Sequence, residues 1–289
     1  MVLSACGSGS APAPTRGSTF PPLAVPSTFT EVPHPPGAAT DPGAAHWYRA
    51  PAPDGRLVEL AVYLPTVPAS APVPTVLVLH GGDGLRRSHE DLARRYAEAG
   101  FIGIAGCWFD QPDALLVDGA VSCSGGPEFA GTQVGAVADV DALIAAVDQV
   151  PGVDPNRLAI VGHSYGGAIA LMRASDDGAS DPIVAVSAPV ASKPVCCPLR
   201  PGDRYALDHA GAITGPVLVL HGDADLVVPA AQPEAFAAAR PSTEARFYPA
   251  PAGHAFPWQA EQYPGKPAGT SFASQFLTDS VAWLKAQFP

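Results

Sequence analysis

Charge is scarce in this chain, and basic charge scarcer still. Asp, Glu, Lys and Arg make up 15% of its 289 residues, with 16 Lys and Arg against 27 Asp and Glu. The formal charge of −11 leaves no basic face of the kind that nucleic acid or an anionic lipid surface requires. No run approaches the ~18 consecutive apolar residues of a membrane-spanning helix. No internal repeat is visible. None of the five cysteines has metal-site spacing with histidine partners, and no metal or organic cofactor is implied. What is plentiful is apolar substance, 47% of the residues, enough for a sizeable core and too much for a disordered chain. At ~150 residues per domain the length allows two domains, or one large α/β unit.

Proline is also plentiful, 34 residues, much of it at the front. Residues 1–45 contain Pro21-Pro22 and Pro35-Pro36 and almost no apolar periodicity, and they read as a largely irregular tail ahead of a domain over 46–289. The opening Val2-Leu3-Ser4-Ala5-Cys6-Gly7-Ser8 resembles the lipobox of bacterial lipoproteins, in which Leu-Ser-Ala precedes a cysteine that receives lipid. No charged or apolar leader stands before Leu3. The Gly/Ser/Pro/Ala/Thr stretch from Gly7 to Thr19 suits a flexible tether. The resemblance implies export and a lipid anchor on Cys6, with a cytoplasmic protein as the alternative. With Cys6 lipidated, Cys107, Cys123, Cys196 and Cys197 form an even set that could make two disulfides in an oxidising compartment. Cys107 with Cys123 would close a short loop. Cys196 and Cys197 are neighbours whose direct bond is strained, so crossed pairings stay open.

Beyond the tail a rhythm begins. Arg56–Leu64 alternates apolar and polar residues after the turn signal Asp54-Gly55 and reads as a strand. Thr75–His80, Phe101–Phe109, Leu158–Gly162, Ile183–Val190, Val217–His221 and Arg246–Tyr248 are short apolar runs expected of buried strands. Between them lie helical patterns: Ser88–Ala99 with Ser88 as N-cap, Thr132–Val150, Gly166–Ala174, Pro233–Ala239 and a last amphipathic helix over Phe272–Phe288. In the second, Val134, Val137, Ala138, Val140, Asp141, Leu143, Ile144 and Val147 mark the inner face. Strands alternating with helices predict a mostly parallel, doubly wound sheet with helices on both faces. Ligands then gather where the strands end.

The chemistry-bearing residues stand at those ends. Gly162-His163-Ser164-Tyr165-Gly166-Gly167 is G-x-S-x-G between a strand and a helix. Small residues on both sides permit a turn tight enough to lift the Ser164 hydroxyl above the sheet. The helix start beside it favours developing negative charge. A serine hydroxyl is a weak nucleophile without a base. His254, in Pro251-Ala252-Gly253-His254-Ala255-Phe256 after the last strand, is the candidate. His80 and His221 end strands and are expected to make structural hydrogen bonds, while His163 is expected to point away from the reacting centre. The base needs a carboxylate to hold its tautomer. Asp223 and Asp225 compete in Gly222-Asp223-Ala224-Asp225, and Asp225 lies further out, where it can reach the histidine loop. The oxyanion donors expected are the N–H groups of Tyr165, after the nucleophile, and Gly82, in His80-Gly81-Gly82-Asp83-Gly84. Leu85, Trp108, Phe109, Phe256 and Trp258 fall near strand ends and are candidate walls of an open, aromatic-lined cleft. A non-catalytic binding module on the same scaffold would be marked by an incomplete triad, and no member is missing.

With these pieces the chain from about Arg56 to Phe288 resembles the α/β-hydrolase superfamily, in the order Ser164, Asp225, His254. Within it, His80-Gly81-Gly82, the Ser164 elbow, Gly222-Asp223-Ala224-Asp225 with Pro229, and Gly253-His254-Ala255-Phe256 look most like the dienelactone hydrolase family. That family carries a cysteine nucleophile where this chain has Ser164, which implies ordinary carboxylic esters as substrates, small or aryl ones. The Ser-Tyr-Gly-Gly elbow also resembles prolyl-oligopeptidase-like peptidases, which implies amide cleavage as an alternative. Small secreted polyester hydrolases of cutinase type share the architecture, so polymeric esters stand beside small ones. The resemblance implies no obligate protein partner. No long insertion between Val190 and Pro216 would build a large lid domain, although Lys193–Asp208 could form a modest flap.

Overall fold

The apolar runs pair side by side. In a computed structural model that describes residues 29–34, 45–51, 57–66, 72–109, 133–191, 205–258 and 272–289, they form one nine-stranded sheet. Its strands are β1 (Thr30–Glu31), β2 (His46–Pro51), β3 (Leu57–Tyr63), β4 (Val73–Leu79), β5 (Ile102–Cys107), β6 (Val153–His163), β7 (Ile183–Val186), β8 (Val217–Gly222) and β9 (Glu244–Tyr248). The order across the sheet is β1-β2-β3-β5-β4-β6-β7-β8-β9. The pairings β1–β2, β2–β3 and β3–β5 are antiparallel, and from β5 across β4 to β9 every pairing is parallel. The helices are α1 (Arg87–Glu98), α2 (Gln133–Val147), α3 (Tyr165–Asp177), α4 (Ala231–Ala239) and α5 (Phe272–Gln287).

Continuous apolar runs are needed because both faces of the sheet are covered. Leu77 and Leu79 of β4 join one core with Ile160, Ile183, Ala185, Val217 and Val219, against Val140, Leu143 and Val147 of α2, Ile169 of α3 and Phe236 of α4. The alternate residues Val76 and Val78 join a second core with Val161, Val184, Val186, Leu218 and Leu220, against Leu92 and Tyr96 of α1 and Phe276, Trp283 and Leu284 of α5. The period of two along each strand thus assigns side chains to two separate layers. The chain has the α/β-hydrolase fold, and no large lid domain stands among the described residues.

Several boundaries differ from the sequence reading. The segment taken as an irregular lead-in contains β1, where Phe29 stacks on Tyr48 at 4.6 Å and Glu31 meets His46 Nδ1 at 2.9 Å. A two-residue edge strand is too short to show alternation. β2 was hidden for a related reason, since it lies near the sheet edge and mixes Trp47 and Ala50 with His46 and Arg49. Ser88 is not the N-cap of α1. Arg86 holds that place, its N–H donates to His89 Nδ1 at 3.1 Å, and Ser88 is buried inside the first turn. In α2, Ala138 faces outward and Asp139 inward. β7 stops at Val186 because Ser187 turns to φ 48°, with its N–H donating to Leu220 O at 3.0 Å. The region expected as a flap ends in a 3-10 helix, Ala206–Ala212, whose Ala206 and Ala210 are buried. The rest of that region, together with Cys6, Cys123, Cys196 and Cys197, lies outside the described residues.

Candidate active site

The strands β4, β6 and β8 and the loop after β9 deliver the site. β6 ends at His163, and Ser164 follows at φ 52°, ψ −120°, before α3 begins at Tyr165. A non-glycine residue in that region is strained unless its surroundings hold it. Here the Ser164 N–H donates to Val186 O at 2.8 Å and the Ser164 carbonyl accepts from Ala168 N–H at 3.1 Å. The flanking glycines allow the turn to close. A Cβ on Gly162 would lie 2.5 Å from the Gly167 nitrogen, and one on Gly166 would lie 2.5 Å from the His80 carbonyl oxygen. Both obstacles are backbone and cannot swing aside.

The acid and base loops are stitched to each other. Ala224 N–H donates to Ala252 O at 2.8 Å, and Asp225 N–H closes a turn on Gly222 O at 3.0 Å. The result is a continuous line of hydrogen bonds. Ser164 Oγ lies 3.0 Å from His254 Nε2, and His254 Nδ1 lies 2.8 Å from Asp225 Oδ2. The other carboxylate oxygen accepts the N–H groups of Val227 at 2.8 Å and Val228 at 2.9 Å. Burial works against the Asp225 carboxylate, but the His254 hydrogen bond and charge with the two backbone N–H groups outweigh it, so its pKa sits below the ordinary aspartate value. A carboxylate held ionised opposite Nδ1 fixes the proton there and leaves Nε2 free to accept from Ser164. Of the two competing aspartates, Asp225 makes this contact and Asp223 is exposed.

The other histidines are placed as follows. His80 Nδ1 lies 2.9 Å from Gly81 O, and His221 Nε2 lies 3.0 Å from Val228 O, inside the acid loop. Burial pushes His80 down to about 4 and also lowers His221. His163 turns its Nε2 to the carbonyl oxygen of His254 at 3.0 Å. His89 stands between them, 6.1 Å from the His80 ring and 6.3 Å from that of His163. Of this row of buried imidazoles sequence reading missed His89, since nothing in the run Arg87-Ser88-His89 marks the ring as inward-facing.

The loop after β4 folds over the serine. Gly84 N–H closes on Gly81 O at 3.2 Å, and a Cβ on Gly81 would lie 3.1 Å from the Ser164 Cβ. Asp83 pairs with Arg86 Nε at 2.7 Å, bracing the loop from behind. The expected open aromatic wall is not what these side chains form. Leu85, Trp108, Phe109 and Phe256 are almost fully buried. Trp108 stacks on Tyr165 at 5.5 Å and Phe109 meets His80 edge-on at 4.5 Å. Phe256 packs on Tyr248 at 4.6 Å. These strand-end aromatics fill the layer under the site, and only Trp258 keeps part of its surface exposed. A cavity of ≈ 380 Å³ on the far side of Trp258, between α1 and α5, is lined by Arg87, Ser88, Asp91, Arg95 and Phe276 and by no triad residue. No group of three or more His, Cys, Asp or Glu among the described residues could hold a metal ion.

The arrangement has recognisable company. The model of the dienelactone hydrolase family matches residues 60–288. The chain belongs to the dienelactone hydrolase family. It is therefore a hydrolase. A Yersinia pestis protein bearing the provisional name carboxymethylenebutenolidase is 31% identical over 198 residues, 65% of this chain and 70% of that protein. A Klebsiella pneumoniae structure, provisionally named a dienelactone hydrolase, superposes with a TM-score of 0.63 at 22% identity, covering 83% of this chain and 98% of that one. Dipeptidyl peptidase 4 of Porphyromonas gingivalis superposes with a TM-score of 0.61 at 18% identity, over 84% of this chain but 35% of that one. At these identities the two structures speak for the fold alone.

Proposed function

We propose that this dienelactone hydrolase family member cleaves carboxylic esters through an acyl-enzyme on Ser164. The observation that carries the reading is the unbroken line from Ser164 Oγ through the His254 ring to the Asp225 carboxylate. As Ser164 Oγ attacks the ester carbonyl carbon, its proton passes to His254 Nε2. The resulting imidazolium keeps its Nδ1–H on Asp225. The carbonyl oxygen, now negative, takes N–H donors from Tyr165 and Gly82, each such donor being worth ~3 kcal/mol at the transition state. His254 returns its proton to the leaving alcohol as the tetrahedral intermediate collapses. Water, deprotonated by the same ring, then releases the acid and restores Ser164. A hydroxyl nucleophile in place of the family's thiol supports ordinary esters, small or aryl, as substrates.

Amide cleavage is the second reading, implied by the likeness of the elbow Ser164-Tyr165-Gly166-Gly167 to that of prolyl-oligopeptidase-like peptidases. The two differ in the leaving group, so a p-nitrophenyl ester and the p-nitroanilide of the same acid separate them. The ester is expected to show kcat/KM at least ~10²-fold above the anilide. An anilide hydrolysed as fast as the ester would transfer the proposal to peptides. Polyester films provide a third arm for polymeric substrates.

Export is proposed as well. Cys107 is disulfide-bonded, to a partner outside the described residues, and a structural disulfide belongs to an oxidising compartment. Protein taken from its producing cells with thiols trapped, then denatured without reductant, should leave no more than three cysteines open to a thiol-alkylating reagent, since Cys107 and its partner are bonded. Four or five alkylated cysteines under those conditions would return the protein to the cytoplasm.

A further inference from the structure

His163 is the residue before the nucleophile, and its ring is buried between the two loops that flank the reacting centre. On one side its Nε2 lies 3.0 Å from the carbonyl oxygen of His254. A carbonyl oxygen can only accept, so Nε2 carries the hydrogen. Burial first, and then the neighbouring His254, push the His163 imidazole down to about 4, so the ring is neutral near pH 7 and has that single N–H to give. On the other side, its Nδ1 lies 3.4 Å from where a Cβ on Gly81 would stand, a point 3.1 Å from the Ser164 Cβ. The ring is wedged against His254 at 5.1 Å and Trp258 at 5.3 Å.

From this geometry we infer that His163 is a positioning residue: its Nε2–H clamps the backbone of His254 and so fixes the base between Ser164 and Asp225. The inference rests on the serine-hydrolase reading above. His254 stands on a loop, and its side chain is 20% exposed, so its placement is not secured by burial alone. Its ring must hold two hydrogen bonds at once, at 3.0 and 2.8 Å. A displacement of the order of 1 Å at such a site costs about 10²-fold in rate. The clamp acts on the main chain of the base and touches no substrate, so its loss should lower kcat and leave KM alone.

Three variants test this. His163→Phe keeps a ring against Trp258 and His254 but has no donor. His163→Gln places an amide N–H near the Nε2 position, and His163→Asn places one near Nδ1, out of reach of the carbonyl. The Phe and Asn variants are expected to lose about 10- to 100-fold in kcat with KM within about twofold, whereas Gln stays within about fivefold of the parent. The rate of Ser164 labelling by a fluorophosphonate should fall in the same order. The Gln-against-Asn pair keeps the test decisive where Phe fails to fold. Parent-like kcat and labelling in Asn or Phe, or equal loss in Gln and Asn at equal melting temperature, would overturn the clamp and leave the serine mechanism standing. A label found on a residue other than Ser164 in the parent protein would instead remove the mechanism on which the clamp depends.

Discussion

Ser164→Ala is expected to lower turnover of a short aryl ester by at least ~10³-fold while the protein stays folded. The fold should survive because nothing in the elbow depends on the hydroxyl. The turn is held by the Ser164 N–H on Val186 O and by the serine carbonyl on Ala168 N–H, and both bonds belong to the backbone. The unusual φ of 52° is already occupied by a residue with a Cβ, so alanine adds no new strain. What goes is the nucleophile, and with it the hydrogen bond to His254 Nε2. On the proposed mechanism, the remaining rate is that of a pocket with oxyanion donors and a base but nothing to acylate. Steady-state hydrolysis and a melting curve on the same preparation check both halves of the expectation. Turnover within tenfold of the parent, once contaminating esterase is excluded by active-site titration, would sink the proposed mechanism.

The legibility of the sequence was uneven in a physically consistent way. Buried parallel strands such as Val73–Leu79 and Val217–Gly222 announce themselves because two covered faces demand unbroken apolar runs. The convergence of the segments that carry Ser164, Asp225 and His254 was readable because each follows a strand, and because Gly162 and Gly166 sit where any Cβ would strike backbone. At the antiparallel edge the elements were not readable, whereas β9 at the opposite edge was. β1 has two residues and, among the described residues, one partner strand, so its composition is hardly constrained. Side-chain direction was also hidden. Trp108 and Phe256 occur near strand ends, as cleft residues would, but their rings turn inward on Tyr165 and Tyr248. The role of His89 as a cap depends on its ring folding back to Arg86 N–H, a geometry that Ser88 imitates in sequence one position too early.

That inward-facing histidine row makes the protein acid-sensitive in a defined window. His80 and His163 are pushed down to about 4 and His89 well below its ordinary value, in each case chiefly by burial. In the unfolded chain all three titrate near ~6.5. Between those values the unfolded state binds more protons than the folded state, so stability is complete above about pH 6.5, falls as pH drops, and levels off near about pH 4 for His80 and His163. A displacement from ~6.5 to ~4 corresponds to about 3 kcal/mol for each of these two groups. The rings are neighbours, so the contributions do not simply add. Even so, the loss is comparable to the ~5–15 kcal/mol that holds a typical domain together. Asp225, whose pKa is depressed by His254 and the Val227 and Val228 N–H groups against the cost of burial, adds to the loss as pH falls through its own titration. Urea unfolding at pH 7.0, 5.5 and 4.5 should show a midpoint that drops steeply over this range and barely moves between about pH 7 and 8. His163→Gln has no imidazole to protonate at that position and should show a shallower slope than the parent. A midpoint unchanged from pH 7.0 to 4.5 would overturn this expectation, which rests on His80 Nε2 and His163 Nδ1 having no acceptor among the described residues for an added N–H and on His89 Nδ1 already accepting from Arg86 N–H.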